Sequence, residues 1–182
     1  MKLLFVLAVL ALILAIAKTW ALTFRAQSPD DYASTTPKFD LRRHLSGEIL
    51  SEGLIYGPTG KLAASFVATM TGKWDGDTGS LREEFTYSTG STQSREWQLK
   101  LGPGNSFTAT AADIIGVGTG EISGSTARLS YQIVLPESAG GHQLDVIDWL
   151  YLTDNGTIMN KSEMRKFGFK VGELVATMRQ AQ

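Results

Sequence analysis

The sequence contains no cysteine and only two histidines, His44 and His142. Without cysteine the chain has no disulfide, no thiolate metal site, no cysteine nucleophile and no lipid attached through an N-terminal cysteine. The two histidines are far apart in the chain and show no spacing typical of metal ligands. We therefore predict neither a metal ion nor a cofactor.

An excess of positive charge is also missing, because 17 lysines and arginines face 18 aspartates and glutamates. Proteins that bind nucleic acid usually need a basic patch to neutralise phosphates. Long segments with the 3.6-residue periodicity of a helix are absent beyond the N-terminus, which argues against a parallel α/β nucleotide-binding fold. The sequence thus predicts no nucleic-acid partner and no Rossmann or P-loop site.

The N-terminus carries the longest apolar run, Leu3 to Ala17, preceded by Lys2. At 1.5 Å per residue this run covers roughly 22 Å, less than the roughly 30 Å of a bilayer core, which favours a signal peptide. A span over 3–24 remains an alternative because Lys18 could reach the headgroups. Residues 1–25 are therefore predicted as a signal peptide or membrane anchor, which places the protein in the cell envelope, periplasmic and either anchored or secreted. Residues 26–38 are polar and predict a linker.

Residues 39–182 are predicted to form one all-β domain. Glycine-based turn signals recur between runs of β-branched and aromatic residues, the pattern of an antiparallel meander. A domain of that many short strands forms a sandwich or closes into a barrel, and we favour a single Gly-rich barrel of about 8–10 strands. Gly116 to Gly118 predicts a bulge or kink. The predicted strands are 46–56, 62–74, 80–88, 92–101, 106–111, 117–123, 126–135, 142–153, 156–162 and 169–179.

Three ionisable residues fall on strand faces that are otherwise apolar. Glu83 shares a face with Leu81 and Phe85, Arg95 shares one with Trp97, and Asp148 lies among leucines. Burying an unpaired charge costs several kcal/mol. These three residues should therefore pair with one another or meet a ligand, unless a bulge returns one of them to solvent.

The functional interpretation makes Arg95 the anchor for an acidic headgroup inside an apolar cavity. An alternative assigns catalysis to Glu83 or Asp148 as a general base, with Arg95 stabilising charge. The residues predicted to contact a ligand are Arg95, Glu83, Asp148, Trp97, Tyr87, Trp149 and Tyr151.

Basic and aromatic residues alternate from Met164 to Lys170. This pattern could contact anionic lipid headgroups. We favour the other interpretation, the solvated end of a strand whose aromatic side chains lie in the core.

Several motifs together resemble the bacterial domain-of-unknown-function family 3833. They are Phe39 to Arg43, Met70 to Gly76, Leu81 to Ser88, Arg95 to Trp97, Asp148 to Leu152 and Lys166 to Glu173. Many members of that family resemble envelope lipoproteins, and this chain departs from them by lacking cysteine. The succession of strands also resembles the lipocalin, or calycin, superfamily, which implies a ligand inside the barrel but assigns no function by itself.

The favoured function is non-enzymatic: binding or carrying a small hydrophobic ligand, such as a fatty acid or modified lipid, with membrane contact through the N-terminal segment. One alternative is an enzyme acting on such a lipid. Another is an interaction module of the envelope, which an interior filled by side chains would favour.

Overall fold

The structure is a computed structural model that describes residues 2–21 and 23–181. Helix α1, Lys2–Ala21, precedes short 3₁₀ helices at Phe24–Ala26 and Pro29–Tyr32 and the one-turn helix α2, Leu41–His44. In the part of the chain described, no helix is both long and apolar enough to cross a membrane. Ten strands follow: β1 Gly47–Tyr56, β2 Leu62–Asp75, β3 Thr78–Tyr87, β4 Thr92–Leu101, β5 Ser106–Thr110, β6 Ile114–Ser123, β7 Thr126–Val134, β8 Gln143–Leu152, β9 Ile158–Lys166 and β10 Phe169–Gln180.

These strands form a closed antiparallel barrel in which every strand pairs with its neighbours in sequence. Pairing of β1 with β10, for example Ser51 with Met178, closes the sheet. The closure leaves no free edge strand in the sheet. The predicted single barrel is therefore confirmed, with ten strands.

The alternation of side chains along each strand explains the core. In β2, Phe66, Ala68 and Met70 are buried, whereas Val67 and Thr69 between them are exposed. Successive strand residues point to opposite faces, so a two-residue repeat produces one apolar interior. The predicted bulge is also confirmed, since the β6–β7 register shifts between Ile115 and Thr119.

One end of the barrel is closed by α2 and the residues that follow it. Leu41 and Leu45 are buried in the core, and Trp74 Nε1 donates a hydrogen bond of 3.1 Å to Leu45 O. A Cβ on Gly72 would lie 1.8 Å from that same carbonyl oxygen. Only glycine at this position of β2 allows the capping segment to lie so close to the sheet.

Residues 26–38, predicted as a linker, pack against the outer wall of the barrel. The Tyr32 ring lies 5.2 Å from that of Trp149 and 5.8 Å from that of Tyr151. The hydroxyls of Tyr32 and Tyr151 both donate to Gln27 Oε1, at 2.5 and 2.6 Å. This segment is therefore attached to the barrel wall through Gln27 and Tyr32, whose side chains have partners on β8.

The aromatic side chains around the β9–β10 turn lie outside the core, contrary to the prediction from the sequence. Phe167 and Phe169 are 87% and 76% exposed. Strand β9 ends at Lys166 and strand β10 begins at Phe169, so both rings project beyond the barrel wall. That prediction was wrong because Phe167 lies in the turn and Phe169 is the first residue of β10, where neither ring reaches the interior.

Candidate ligand-binding site

Two cavities follow one another along the barrel axis. The inner cavity, about 150 Å³, lies next to the α2 cap and is lined mainly by apolar side chains such as Phe66, Met70 and Leu99. The outer cavity, about 680 Å³, opens between the turns at the other end, with Gly57, Thr89 and Pro136 in its wall. Ligand pockets commonly have volumes of about 300–1,000 Å³. The outer cavity, which we call the mouth, therefore has the size of a small-molecule site.

Four side chains line both cavities: Arg95, Tyr131, Ser162 and Leu174. Three of them are polar, so the junction between the two apolar spaces carries hydrogen-bonding groups. Glu83 and Asp148 line the inner cavity next to this junction. The barrel register brings them there, because Glu83 is the cross-strand partner of Arg95 and Asp148 is that of Ser162.

Arg95 has its own ion-pair partner. Its Nε donates to Asp113 Oδ1 at 3.0 Å, and its guanidinium lies 4.0 Å from the centre of the Trp97 ring. Nη2, on the same guanidinium, is buried without a hydrogen-bond partner. Arg95 is thus held in place by Asp113 and Trp97 while one buried donor stays available.

Glu83 is buried, and its Oε2 has no hydrogen-bond partner. Burial raises the pKa of its carboxyl to about 7, an effect that Arg95 opposes and the nearby Asp148 and Asp113 reinforce. Near neutral pH, this side chain therefore exists in both protonation states. A protonated Glu83 offers an O–H donor and an ionised one offers an acceptor.

Asp148 resembles Glu83 in lacking a partner for one buried oxygen, Oδ1. Burial raises the pKa of this carboxyl too, although the hydroxyls of Ser162 and Tyr131 and the charge of Arg95 lower it. Burial also raises the pKa of Tyr131 well above its ordinary value, so its phenol stays neutral. The junction therefore presents a guanidinium, a phenol and two carboxyls whose pKa values are raised by burial.

The structure brings together five of the seven side chains predicted to contact a ligand. Arg95, Glu83, Asp148 and Trp97 line the inner cavity, and Tyr87 lines the mouth, where its hydroxyl donates to Gln93 Oε1 at 2.8 Å. Arg95, Glu83 and Asp148 do not form ion pairs with one another, which was one of the alternatives that the sequence left open. Of the ion pairs among the described residues, none joins Arg95 to Glu83 or Asp148.

Trp149 and Tyr151 do not line either cavity, which corrects the prediction for these two residues. They alternate with Asp148 and Leu150 on β8 and so point to the outer face. There they contact Tyr32 from the N-terminal segment. Their contacts therefore attach that segment to the barrel wall.

Three residues of the junction were missed from the sequence. Tyr131 and Ser162 share strand faces with Leu129 and Met164, so side-chain alternation could have identified them. Asp113 follows β5 in a short loop where alternation does not apply. Among the residues described, no group of three His, Cys, Asp or Glu side chains is placed to hold a metal ion.

The family described as "Protein of unknown function (DUF3833)" matches residues 19–180. The chain belongs to this family. The match covers the barrel and the segment packed on its wall, in agreement with the resemblance found in the motifs. A search of curated proteins finds no match.

Solved structures with a similar fold have little sequence in common with this chain. The S-type phycobiliprotein lyase CPES from Guillardia theta has a TM-score of 0.60 at 10% identity, covering 77% of this chain and 90% of its own. Rv2717c from M. tuberculosis has a TM-score of 0.53 at 12% identity, covering 82% of this chain and 100% of its own. At such identities the likeness concerns the fold, which is calycin-like.

Proposed function

We propose that this protein binds a small, mostly apolar molecule with an acidic headgroup, such as a fatty acid or a modified lipid. The observation that carries the proposal is the junction between the two cavities, where Arg95 Nη2 is buried and unpartnered at the base of an open apolar mouth. Burying a polar group without a partner is costly. A ligand that reaches this depth supplies the missing partner.

The headgroup is assigned by the donors available at the junction. Arg95 Nη2 is one donor, and Glu83 becomes a second when protonated. Two donors match the two oxygens of a carboxylate. Because Asp113 already pairs with Arg95, an anionic headgroup needs a proton on Glu83 to avoid repulsion, and binding should strengthen as pH falls through 7.

The apolar part of the ligand is assigned to the mouth. Ile133, Leu144, Val146 and Met164 all contribute to its wall. Removing apolar surface from water yields about 25 cal/mol per Å². A hydrocarbon chain extending from the junction towards the turns would therefore supply most of the affinity, and Arg95 would fix the orientation.

A matched pair of probes tests the proposal: dodecanoic acid and 1-dodecanol, offered to the full chain and followed by native mass spectrometry. We expect a one-to-one complex with the acid, which Arg95→Met weakens about tenfold or more, whereas the alcohol is affected less. Arg82→Met is the control because Arg82 lies on the exposed face of β3, paired with Glu84. Equal loss of both probes would contradict the headgroup assignment, and binding of neither probe would contradict the proposal.

A second candidate is an enzyme that hydrolyses an ester of such a lipid. It is favoured by the pKa of about 7 of Glu83, since a general base works best when its pKa is near the working pH. Glu83 would take a proton from the attacking water as its oxygen bonds to the ester carbonyl carbon, and would return that proton to the alcohol oxygen as the ester C–O bond breaks. Methyl dodecanoate incubated with the protein should then yield dodecanoic acid, and Glu83→Gln should abolish the yield; absence of product contradicts this candidate.

The interaction module has less support, because the interior is open and not filled by side chains.

We further propose that the protein acts in the cell envelope. This proposal rests on the apolar run from Leu3 to Ala17 after Lys2.

A further inference from the structure

Two large aromatic side chains, separated in sequence only by Gly168, are exposed where β9 turns into β10. Phe167 is 87% exposed and Phe169 is 76% exposed, the highest values among the large hydrophobic residues described. Single exposed hydrophobic residues are common on protein surfaces, whereas clustered ones mark interaction sites. Phe167 lies on the two-residue turn, and Phe169 is the first residue of β10 directly after it.

The backbone of this turn makes phenylalanine an unusual choice. Phe167 and Gly168 both have positive φ, 52° and 81°, as in the tight hairpin turns where Asn-Gly is preferred. Phe167 is the only non-glycine residue with positive φ in the described chain, and bulky residues are disfavoured there. Asparagine would adopt this backbone conformation at a lower cost than phenylalanine. The exposed ring at Phe167 therefore needs an explanation other than the fold.

Positive charge accompanies the two rings. Lys166 Nζ lies 5.6 Å from the centre of the Phe167 ring and 2.9 Å from His142 Nδ1, and it forms none of the ion pairs found among the described residues. Lys170 follows Phe169 and pairs with Glu173 at 3.2 Å. Arg165 Nη1 donates to Gly168 O at 2.5 Å, which fixes the turn. Aromatic rings beside lysines match the interface of an anionic bilayer.

The turn also lies beside the mouth. Lys166, Met164 and Gly172, which flank it on both strands, line the outer cavity. A surface that holds this turn would therefore lie close to the opening through which a ligand enters.

We propose that the Phe167–Phe169 turn inserts into the surface of a bilayer containing anionic lipids and places the barrel mouth against it. The two rings enter the interfacial layer, and Lys166 contacts the anionic headgroups. Exchange of an apolar ligand with the bilayer then avoids passage through water. This last step rests on the proposed ligand binding, whereas the docking itself does not.

The absence of cysteine permits a direct test, because one introduced cysteine can be labelled without competition. We would attach an environment-sensitive naphthalene dye to Phe167→Cys in the full chain. The control is Asp154→Cys, an exposed position in the turn between β8 and β9 at the capped end. Vesicles are phosphatidylcholine with or without phosphatidylglycerol.

The dye at position 167 should shift to shorter wavelength with phosphatidylglycerol vesicles, and the shift should decrease as salt is raised. The dye at position 154 should not respond. No shift at 167, or an equal shift at both positions, overturns the proposal. A shift without vesicles that grows with protein concentration also overturns it, since the turn would then contact a second copy.

An unlabelled variant, Phe167→Ser with Phe169→Ser, separates docking from ligand binding. Its partition onto phosphatidylglycerol vesicles should fall about tenfold or more, because each phenylalanine contributes apolar burial. It should still bind dodecanoic acid. Unchanged partition with intact ligand binding refutes docking alone; docking by the unsubstituted chain without dodecanoic acid binding refutes the proposed function alone.

Discussion

Arg95 Nε donates a 3.0 Å hydrogen bond to Asp113 Oδ1, a residue 18 positions away. This pair fixes the guanidinium at the junction of the two cavities, where it also contacts the Trp97 ring. The pair leaves Glu83, the cross-strand partner of Arg95, without a hydrogen bond to its Oε2. The site therefore combines a fixed cation with a carboxyl that can gain or lose a proton.

The first prediction concerns the strength of the Arg95–Asp113 pair. Arg95→Met should destabilise the fold by roughly 3–5 kcal/mol, because it leaves the partly buried Asp113 without its ion-pair partner. Asp113→Asn should lower the unfolding free energy by less than Arg95→Met does. Urea denaturation of both variants and the double variant should give a coupling free energy of about 1–3 kcal/mol. Additive effects would show that the pair contributes nothing to stability.

The second prediction follows from the pKa of Glu83, which burial raises to about 7 from 4.5. The folded state holds this proton more tightly than the unfolded state, so the associated stability is fully present below pH 4.5. It is lost as pH rises towards 7, by roughly 3 kcal/mol in total. Glu83→Gln should therefore remove this contribution to the decline in unfolding free energy between pH 5 and 8, to which Asp148 adds in the same direction because burial raises its pKa too.

The control for that measurement is Glu84→Gln on the opposite face of β3. Hydrogen bonds from Arg82 and Ser94 lower the pKa of the exposed Glu84 carboxyl. This carboxyl is ionised in both states above pH 5, so the substitution should leave the pH dependence unchanged. A parallel profile for Glu83→Gln and the unsubstituted chain would show that Glu83 is not the buried titrating group.

The strand pattern was predictable because its signals are local. Glycine-based turns separate the strands, and a two-residue alternation places Glu83, Arg95 and Asp148 inside; the structure confirms both features. Asp113 was missed because a loop residue has no face that alternation assigns. Its pairing with Arg95 depends on the β4–β5–β6 geometry, which the strand pattern alone does not specify.

The errors at Trp149 and Tyr151 have a different origin. Alternation with Asp148 already separates them from the interior face, but aromatic side chains are also typical of ligand cavities, and the prediction rested on that tendency. Their partner is Tyr32, more than a hundred residues earlier. Such a long-range contact leaves no periodic signal, and the polar composition of 26–38 suggested a tether.

The third prediction tests this outer contact. Tyr32→Ala should expose residues 26–38 to limited proteolysis and lower stability by roughly 1–3 kcal/mol, because both ring contacts are lost. Tyr32→Phe removes only the hydrogen bond to Gln27 and should stay resistant to protease. Dodecanoic acid binding should be unchanged in both variants. Loss of binding would instead connect the outer wall to the ligand site.

The fourth prediction concerns export. The full chain should be found in the envelope fraction of the cell, whereas a chain lacking Lys2 to Ala21 should stay in the cytoplasm, since the apolar run is predicted to act as the export signal. Intact-mass measurement of the exported protein identifies its first residue and decides between cleavage and retention. A full-length chain in the cytoplasm would contradict the prediction.

The last prediction concerns the capped end, where Gly72 lies beneath the carbonyl of Leu45. A Cβ at position 72 would be 1.8 Å from Leu45 O and 2.6 Å from its carbon. Backbone atoms on both sides leave no flexible group to move, so Gly72→Ala must displace the capping segment and expose Leu41 and Leu45. We expect a loss of roughly 2–4 kcal/mol in unfolding free energy.

Gly57→Ala is the matched control, because a Cβ there would meet nothing closer than Lys61 O at 3.9 Å. Its unfolding free energy should change by no more than about 0.5 kcal/mol. Binding of a dye that fluoresces on exposed apolar surface should rise for Gly72→Ala only. If the two alanine variants are equally stable, the cap does not depend on the close approach at Gly72, and the barrel must be closed by the side chains of Leu41 and Leu45 alone.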